Sequence, residues 1–141
     1  CLVGSEMCIR DRCMALGADA VAIGTAALIA LGCNHPMYDE EFRAIGSAAG
    51  FYDDYHEGRD PAGISTQDPD LMQRLDPVEG GRRLANYIRV LTMEAQTLAR
   101  ACGKSDLRNL EPEDLVALTV ESAAMARVPL AGTTWVPGQN F

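Results

Sequence analysis

The residues best suited to chemistry in this 141-residue chain are Gly24 and Thr25. They follow the wholly apolar run Ala20-Val21-Ala22-Ile23 and precede the apolar stretch from Ala26 to Leu31. The first turn of a helix carries N–H groups without an intrahelical partner and a partial positive charge, so it receives phosphate well. Glycine lets the backbone come close to the anion, and the threonine hydroxyl adds a donor. Alone, the pair fits any turn between a strand and a helix. Other reactive side chains are less organised. Cys13, Cys33 and Cys102 have the spacing of neither a metal site nor a disulfide framework, and Cys33 and Cys102 read as small buried hydrophobes. His35 and His56 lie in loop-like sequence without a second His, Cys or carboxylate at metal spacing, so they take surface or hydrogen-bonding roles. Asp39-Glu40-Glu41 and Glu111-Glu113-Asp114 face solvent and favour helix N-termini rather than forming acid–base pairs.

The elements that must position these residues have an α/β order. Ala15-Leu16-Gly17 reads as a helix end, with Gly17 as the left-handed cap. Ala20 to Ile23 reads as a strand buried on both faces, as in a parallel sheet with helices outside. Gly24-Thr25 makes the turn into a helix that ends near Gly32. One strand cannot form a sheet, and no second convincing parallel strand follows, so its partners are expected upstream. Met37 to Ile45 predicts a short acidic helix, and residues 46–65 a Gly-rich loop. Asp68-Pro69 and Asp76-Pro77-Val78-Glu79 are Asp-capped helix starts with proline at the first helical position. The second starts a helix with Leu84, Ile88, Leu91, Ala95, Leu98 and Cys102 in one apolar stripe closed by Gly103, a core or subunit interface. A last helix is expected from Pro112 to about Arg127, with Leu115, Leu118 and Met125 inward. The tail from Pro129 to Phe141 is expected to be extended, with Trp135 as its packing anchor.

A net charge of −8 argues against nucleic acid and anionic membrane as partners. No apolar run reaches the roughly 18 residues of a membrane span. The cysteine usage fits a reduced cytoplasmic setting. A chain of 141 residues is one domain at most and too short for a complete (β/α)₈ barrel, which needs roughly 200 residues or more. The opening Cys1 to Arg12, CLVGSEMCIRDR, resembles the translation of a sequencing adapter fused to the reading frame, and is set apart from the fold. Residues 13–75 then form one part, and 76–141 a helical C-terminal extension of the same domain.

Three motifs, in order, carry a family resemblance. Ala15-Leu16-Gly17-Ala18-Asp19-Ala20-Val21-Ala22-Ile23-Gly24-Thr25-Ala26-Ala27-Leu28, with Ala30-Leu31-Gly32-Cys33 after it, resembles the last strand and helix of the FMN-binding domain of glutamate synthases. Pro61-Ala62-Gly63-Ile64-Ser65-Thr66-Gln67-Asp68-Pro69 resembles that family's segment after its iron–sulfur loop. Gly103-Lys104-Ser105 and Asn109-Leu110-Glu111-Pro112-Glu113-Asp114-Leu115 resemble the tail of its shorter, stand-alone members.

The resemblance implies the C-terminal fragment of an aldolase-type (β/α)₈ TIM barrel followed by a mostly helical extension. It implies an oxidoreductase in which reduced FMN passes a hydride to the imine of 2-oxoglutarate and ammonia or another amine. Some relatives work with a separate amidotransferase or electron-transfer subunit. Gly24 and Thr25 match the flavin-phosphate turn, and Gln67 could approach the flavin, although capping or loop packing is its simpler role. The ring-binding and 2-oxoglutarate-binding residues are expected upstream, so the fragment alone is not expected to be active. One departure concerns the metal. Larger members hold a three-iron cluster on three cysteines, the last two in Cys-His-x-x-x-Cys-Pro. Here that segment reads Tyr55-His56-Glu57-Gly58-Arg59-Asp60-Pro61, and a longer insertion than expected separates Cys33 from Tyr55. Thiolates hold such clusters, and Tyr and Asp substitute poorly, so no cluster is expected. Two alternatives stay open: another FMN-dependent barrel oxidoreductase or isomerase, and a non-catalytic barrel subunit of a larger complex.

Overall fold

The structure, a computed structural model, describes residues 6–139. The described residues form helices α1 (Glu6–Ala15), α2 (Thr25–Leu31), α3 (Asp39–Ala44), α4 (Pro69–Met72), α5 (Pro77–Ala101) and α6 (Val120–Ala126), with four short 3₁₀ turns between them. The fold divides into two compact units, Ile23–Val90 and the flanking residues, and α5 runs through the boundary between Val90 and Leu91.

In the unit Ile23–Val90, local signals set the helix ends. His35 Nδ1 accepts from Met37 N–H at 3.2 Å, starting the 3₁₀ turn Pro36–Tyr38 that leads into α3. Asp68 caps α4 by accepting from Asp70 and Leu71, and Asp76 caps α5 by accepting from Val78 and Glu79 at 2.9 and 3.2 Å. Both caps agree with their sequence signals. The acidic first turn of α3 holds Asp39, Glu40 and Glu41, which favours the positive end of that helix.

The other unit buries Asp11 but is otherwise apolar and built largely from small residues. Ala15, Ala99 and Leu110 form one buried cluster, and Ala117, Ala123 and Val128 another, with Leu115 packed against both. Alanine at these contacts lets backbones approach closely while burying little area. After α5, Gly103 takes φ +77 and Lys104 N–H reaches back to Ala99 O at 2.8 Å, the closure expected of that glycine. Gly17 ends α1 in the same way, with φ +98 and Ala18 N–H bonded to Cys13 O at 3.0 Å.

Several expectations are corrected. Ala20 to Ile23 is irregular, and no strand occurs among the described residues, only isolated bridges at Arg59–Thr66 and Ala117–Leu130. A parallel strand needs neighbours for its backbone groups, and the described residues offer none. The last helix is broken. Pro112–Asp114 is a 3₁₀ turn, residues 115–119 are non-helical with Leu115 and Thr119 extended, and α6 starts only at Val120, where Thr119 accepts from Ser122 N–H at 3.1 Å. That Thr-x-x-Ser cap outweighs helix continuation through Leu115-Val116. Consequently Leu118 and Met125 are exposed (73% and 87%), and only Leu115 points inward. The α5 stripe is buried at Leu91 and Ala95 but exposed at Ile88 and Cys102, so Cys102 is not a core residue. The tail is turned rather than extended: Leu130 N–H bonds to Trp135 O at 3.0 Å and Thr133 N–H to Leu130 O.

Candidate functional site

Gly24 and Thr25 are exposed at the start of α2. Gly24 O accepts from Ala27 and Leu28 N–H at 2.9 and 3.3 Å, which opens the helix, and no side chain caps it. A Cβ built on Gly24 would meet nothing within 4 Å. The junction therefore offers first-turn amides and a hydroxyl on an open surface, which is what an anion needs. Gln67 is exposed, and the cap beside it comes from Asp68, not from Gln67.

A second constellation lies in the same unit: the family resemblance sets Cys33, Tyr55 and Asp60 against the cluster cysteines, but sequence reasoning did not foresee the polar centre built around Asn34. Cys33 and Asn34 follow the α2 cap and are buried. Asn34 takes φ +62, a conformation asparagine tolerates better than most residues, and this turns its amide inward. Its Oδ1 accepts from Gly50 and Tyr52 N–H at 3.1 and 3.0 Å, and its Nδ2 donates to Tyr52 O at 3.3 Å. The same Nδ2 lies 3.4 Å from Tyr55 Oη and 3.5 Å from Cys33 Sγ. Asp60 is wholly buried. Its carboxylate accepts from the backbone N–H of Ala62, Ile64 and Ser65 at 3.0 to 3.2 Å and from Ser65 Oγ at 3.3 Å. Burial, with the Asp60 charge next, pushes the Cys33 thiol up to about 11, while a hydrogen bond from Tyr55 opposes the shift. Burial likewise pushes the Tyr55 phenol up. Cys33 is thus a protonated, sequestered thiol and not a nucleophile.

Rings close one side of this centre. Phe42 of α3 is fully buried and lies 5.6 Å from the Tyr52 ring, which stands edge-on to Tyr55 at 5.5 Å. Outside the centre, Asp54, His56 and Glu57 bring ligand atoms within 4.8 Å of one another, a grouping that the sequence spacing did not suggest for His56. All three are exposed and Glu57 already pairs with Arg59, so the grouping reads as solvated surface. A cleft of about 310 Å³ is lined in part by His35, Tyr38, Arg74, Glu79 and Arg83. Arg74 bonds to Glu41 and Pro61 O, and Arg83 to Glu79, so these arginines are already engaged.

A model of the family described as the conserved region in glutamate synthase matches residues 5–38 and 47–105. The chain belongs to the glutamate synthase family. It is 70% identical over 129 residues to a glutamate synthase large subunit-like protein of Rhizobium meliloti (strain 1021), covering 92% of this chain and 29% of that protein. It is 40% identical over 109 residues to the archaeal glutamate synthase [NADPH] of Methanocaldococcus jannaschii, covering 76% of this chain and 18% of the relative. An archaeal-type glutamate synthase [NADPH] of Dehalococcoides mccartyi is 33% identical over 125 residues, covering 86% of this chain and 22% of that protein. The chain thus spans less than a third of the length of these relatives. No solved structure matches it.

Within the glutamate synthase family, the Pro61-to-Pro69 motif gains a physical meaning. It is the loop that wraps the Asp60 carboxylate. Gly63 is required there twice: its φ is +78, and an added Cβ would sit 2.0 Å from Leu71 O. Thr66 Oγ1 donates to Gly58 O and accepts from Asp68 N–H at 3.0 Å, closing the loop. The stretch left between the two matched segments, residues 39–46, contains α3. Asn34 and Asp60 are the residues that sequence reasoning missed as organising groups. The available signals were an Asn directly after the Gly32-Cys33 cap and an Asp-Pro-x-Gly-x-Ser pattern, both of which favour side chain-to-backbone turns.

Proposed function

We propose that the complete protein is an FMN-dependent, glutamate-synthase-type oxidoreductase, and that this chain is the C-terminal part of its barrel and helical extension. The substrates are 2-oxoglutarate and ammonia or another amine, and the product is glutamate or an N-substituted glutamate. The bound flavin supplies the hydride that reduces the imine of 2-oxoglutarate. The contribution of this chain is to hold the cofactor's phosphate, with the first-turn amides after Gly24 and the Thr25 hydroxyl. The observation that carries the reading is the conjunction at one place: an exposed, uncapped helix start with open space over Gly24, inside a segment that matches the glutamate synthase family. In the complete barrel, residues 20–23 gain strand neighbours from upstream and the junction becomes a strand-to-helix turn. An amidotransferase or electron-transfer subunit, a cytoplasmic setting and a foreign origin for residues 1–12 belong to the same reading.

The full-length protein is expected to be yellow, to bleach with a reductant, and to recover its colour on addition of 2-oxoglutarate plus an amine. Thr25→Val should weaken FMN retention without unfolding the protein. A yellow protein inert to every pairing of 2-oxoacid and amine would overturn the reaction. A second reading, a barrel subunit without catalysis of its own, draws on the polar centre around Cys33, whose groups already bond to one another. Recovery of flavin colour by the substrates would exclude it.

A further inference from the structure

The sequence gives Cys33, Tyr55 and Asp60 the positions of the three cluster-ligating cysteines in larger relatives, and the structure brings all three side chains into one buried centre. Asp60 lies close enough that its charge, after burial, helps push the Cys33 thiol up. Asn34 donates toward Tyr55 Oη and Cys33 Sγ, tying two of the three together. Both Asp60 oxygens are taken up by the Ala62, Ile64 and Ser65 donors. A cluster needs thiolates and room for its inorganic core. This donor set provides one thiol, and its oxygens are committed to the protein.

An independent observation concerns α3. Residues 39–46 fall outside the family match, and α3 within them delivers Phe42 into the interior, where it stacks toward Tyr52 and, through it, Tyr55. The helix is tied down at both faces, by Asp39 accepting from Ala49 N–H at 3.5 Å and by Glu41 pairing with Arg74 at 2.7 Å. Lost ligands and added helix converge on the same spot.

We infer that the site which holds a three-iron cluster in larger relatives is here a metal-free plug. In it the Asn34 amide ties Cys33 to Tyr55, the buried Asp60 carboxylate is wrapped by its own loop, and α3 seals them with Phe42. The plug does the mechanical work of a cluster: it fastens the loop 47–66 to the end of α2. The site assignment rests on the family resemblance, but the fastening role does not depend on which reaction the protein performs.

The test uses the full-length protein, purified without oxygen from iron-supplemented cells, with iron and acid-labile sulfide measured alongside thermal unfolding. The expected result is iron and sulfide far below one cluster per chain, at the same level in Cys33→Ser. Phe42→Ala and Asp60→Asn should each lower the melting temperature by several degrees. Cluster-level iron and sulfide that disappear in Cys33→Ser would overturn the inference. So would unchanged melting temperatures in both Phe42→Ala and Asp60→Asn. Neither readout needs turnover, so an enzyme inert to 2-oxoglutarate would still return an answer here.

Discussion

The two units of this chain solve the same packing problem with opposite materials. In Ile23–Val90 the interior is polar: Asn34, Asp60 and Thr66 are buried beside Cys33, Phe42 and Tyr52, and two side chains organise most of a long loop. In the flanking unit the interior is mostly alanine, with Ala15, Ala95, Ala99, Ala117, Ala123 and Val128 among the most buried positions, joined by Leu91, Leu110 and one acidic residue, Asp11. A polar interior is directional, so each group is matched to particular partners and its loss strands donors away from water. An alanine interior is non-directional and buries little area per residue, so any one position contributes modestly. A long loop without regular structure can be held only by the first strategy, because it has no periodic face to bury.

The largest effect that contrast predicts is at Gly63. Gly63→Ala forces a Cβ against Leu71 O and strains a positive φ, and should cost on the order of 3 kcal/mol or more in chemical denaturation of the full-length protein. Next is Asp60→Ala, which leaves the Ala62, Ile64 and Ser65 amides without their acceptor and should cost about 3 kcal/mol. A loss no greater than that of an alanine-cluster variant would break the comparison. The thiol supplies a pH-dependent version. Because the Cys33 pKa rises from 9.0 to about 11 on folding, its contribution is complete below pH 9 and is lost as pH rises toward 11. Stability measured across that window should fall by on the order of 2 kcal/mol, and Cys33→Ser should flatten the slope. In the alanine unit, Ala123→Gly in α6 should cost only about 1 kcal/mol by the same denaturation. Smallest is Glu79, partly exposed at the start of α5 and held down to about 2 by hydrogen bonds from Arg82 and then Arg83. Its contribution is present above pH 4.5 and fades as pH falls toward 2, so Glu79→Gln should alter only the acid limb of a pH–stability curve.

What was legible in the sequence was punctuation. Gly17 and Gly103 as helix ends, Asp68 and Asp76 as caps, and the acidic start of α3 are encoded by local chemistry that acts within four residues. The expected strand at Ala20 to Ile23 rested on composition, but a strand exists only through its neighbours, and the described residues supply none. The Pro112–Arg127 helix failed because a stronger local signal, Thr119-x-x-Ser122, sat inside the window and restarted it. The hydrogen bonding of the polar centre was not legible. The family motif pointed to Cys33, Tyr55 and Asp60, but nothing marked Asn34 as the group that ties Cys33 to Tyr55. The Cys33-Asn34 and Tyr55-to-Asp60 stretches are separated in sequence and share no period. Their residue types read as loop residues until the chain brings them together.

Gly24 has a practical consequence. Among the described residues nothing beyond its chain neighbours would touch a Cβ placed there, so they give no steric reason for a glycine at that position. Intolerance that grows with side-chain size must then be imposed from outside the described residues. Scoring every amino acid at position 24 in the full-length protein would turn that residue into a proximity gauge. The size at which side chains stop being accepted would measure the clearance to whatever lies over the α2 entrance, whether cofactor or upstream chain, and repeating the series with and without flavin would tell those two apart.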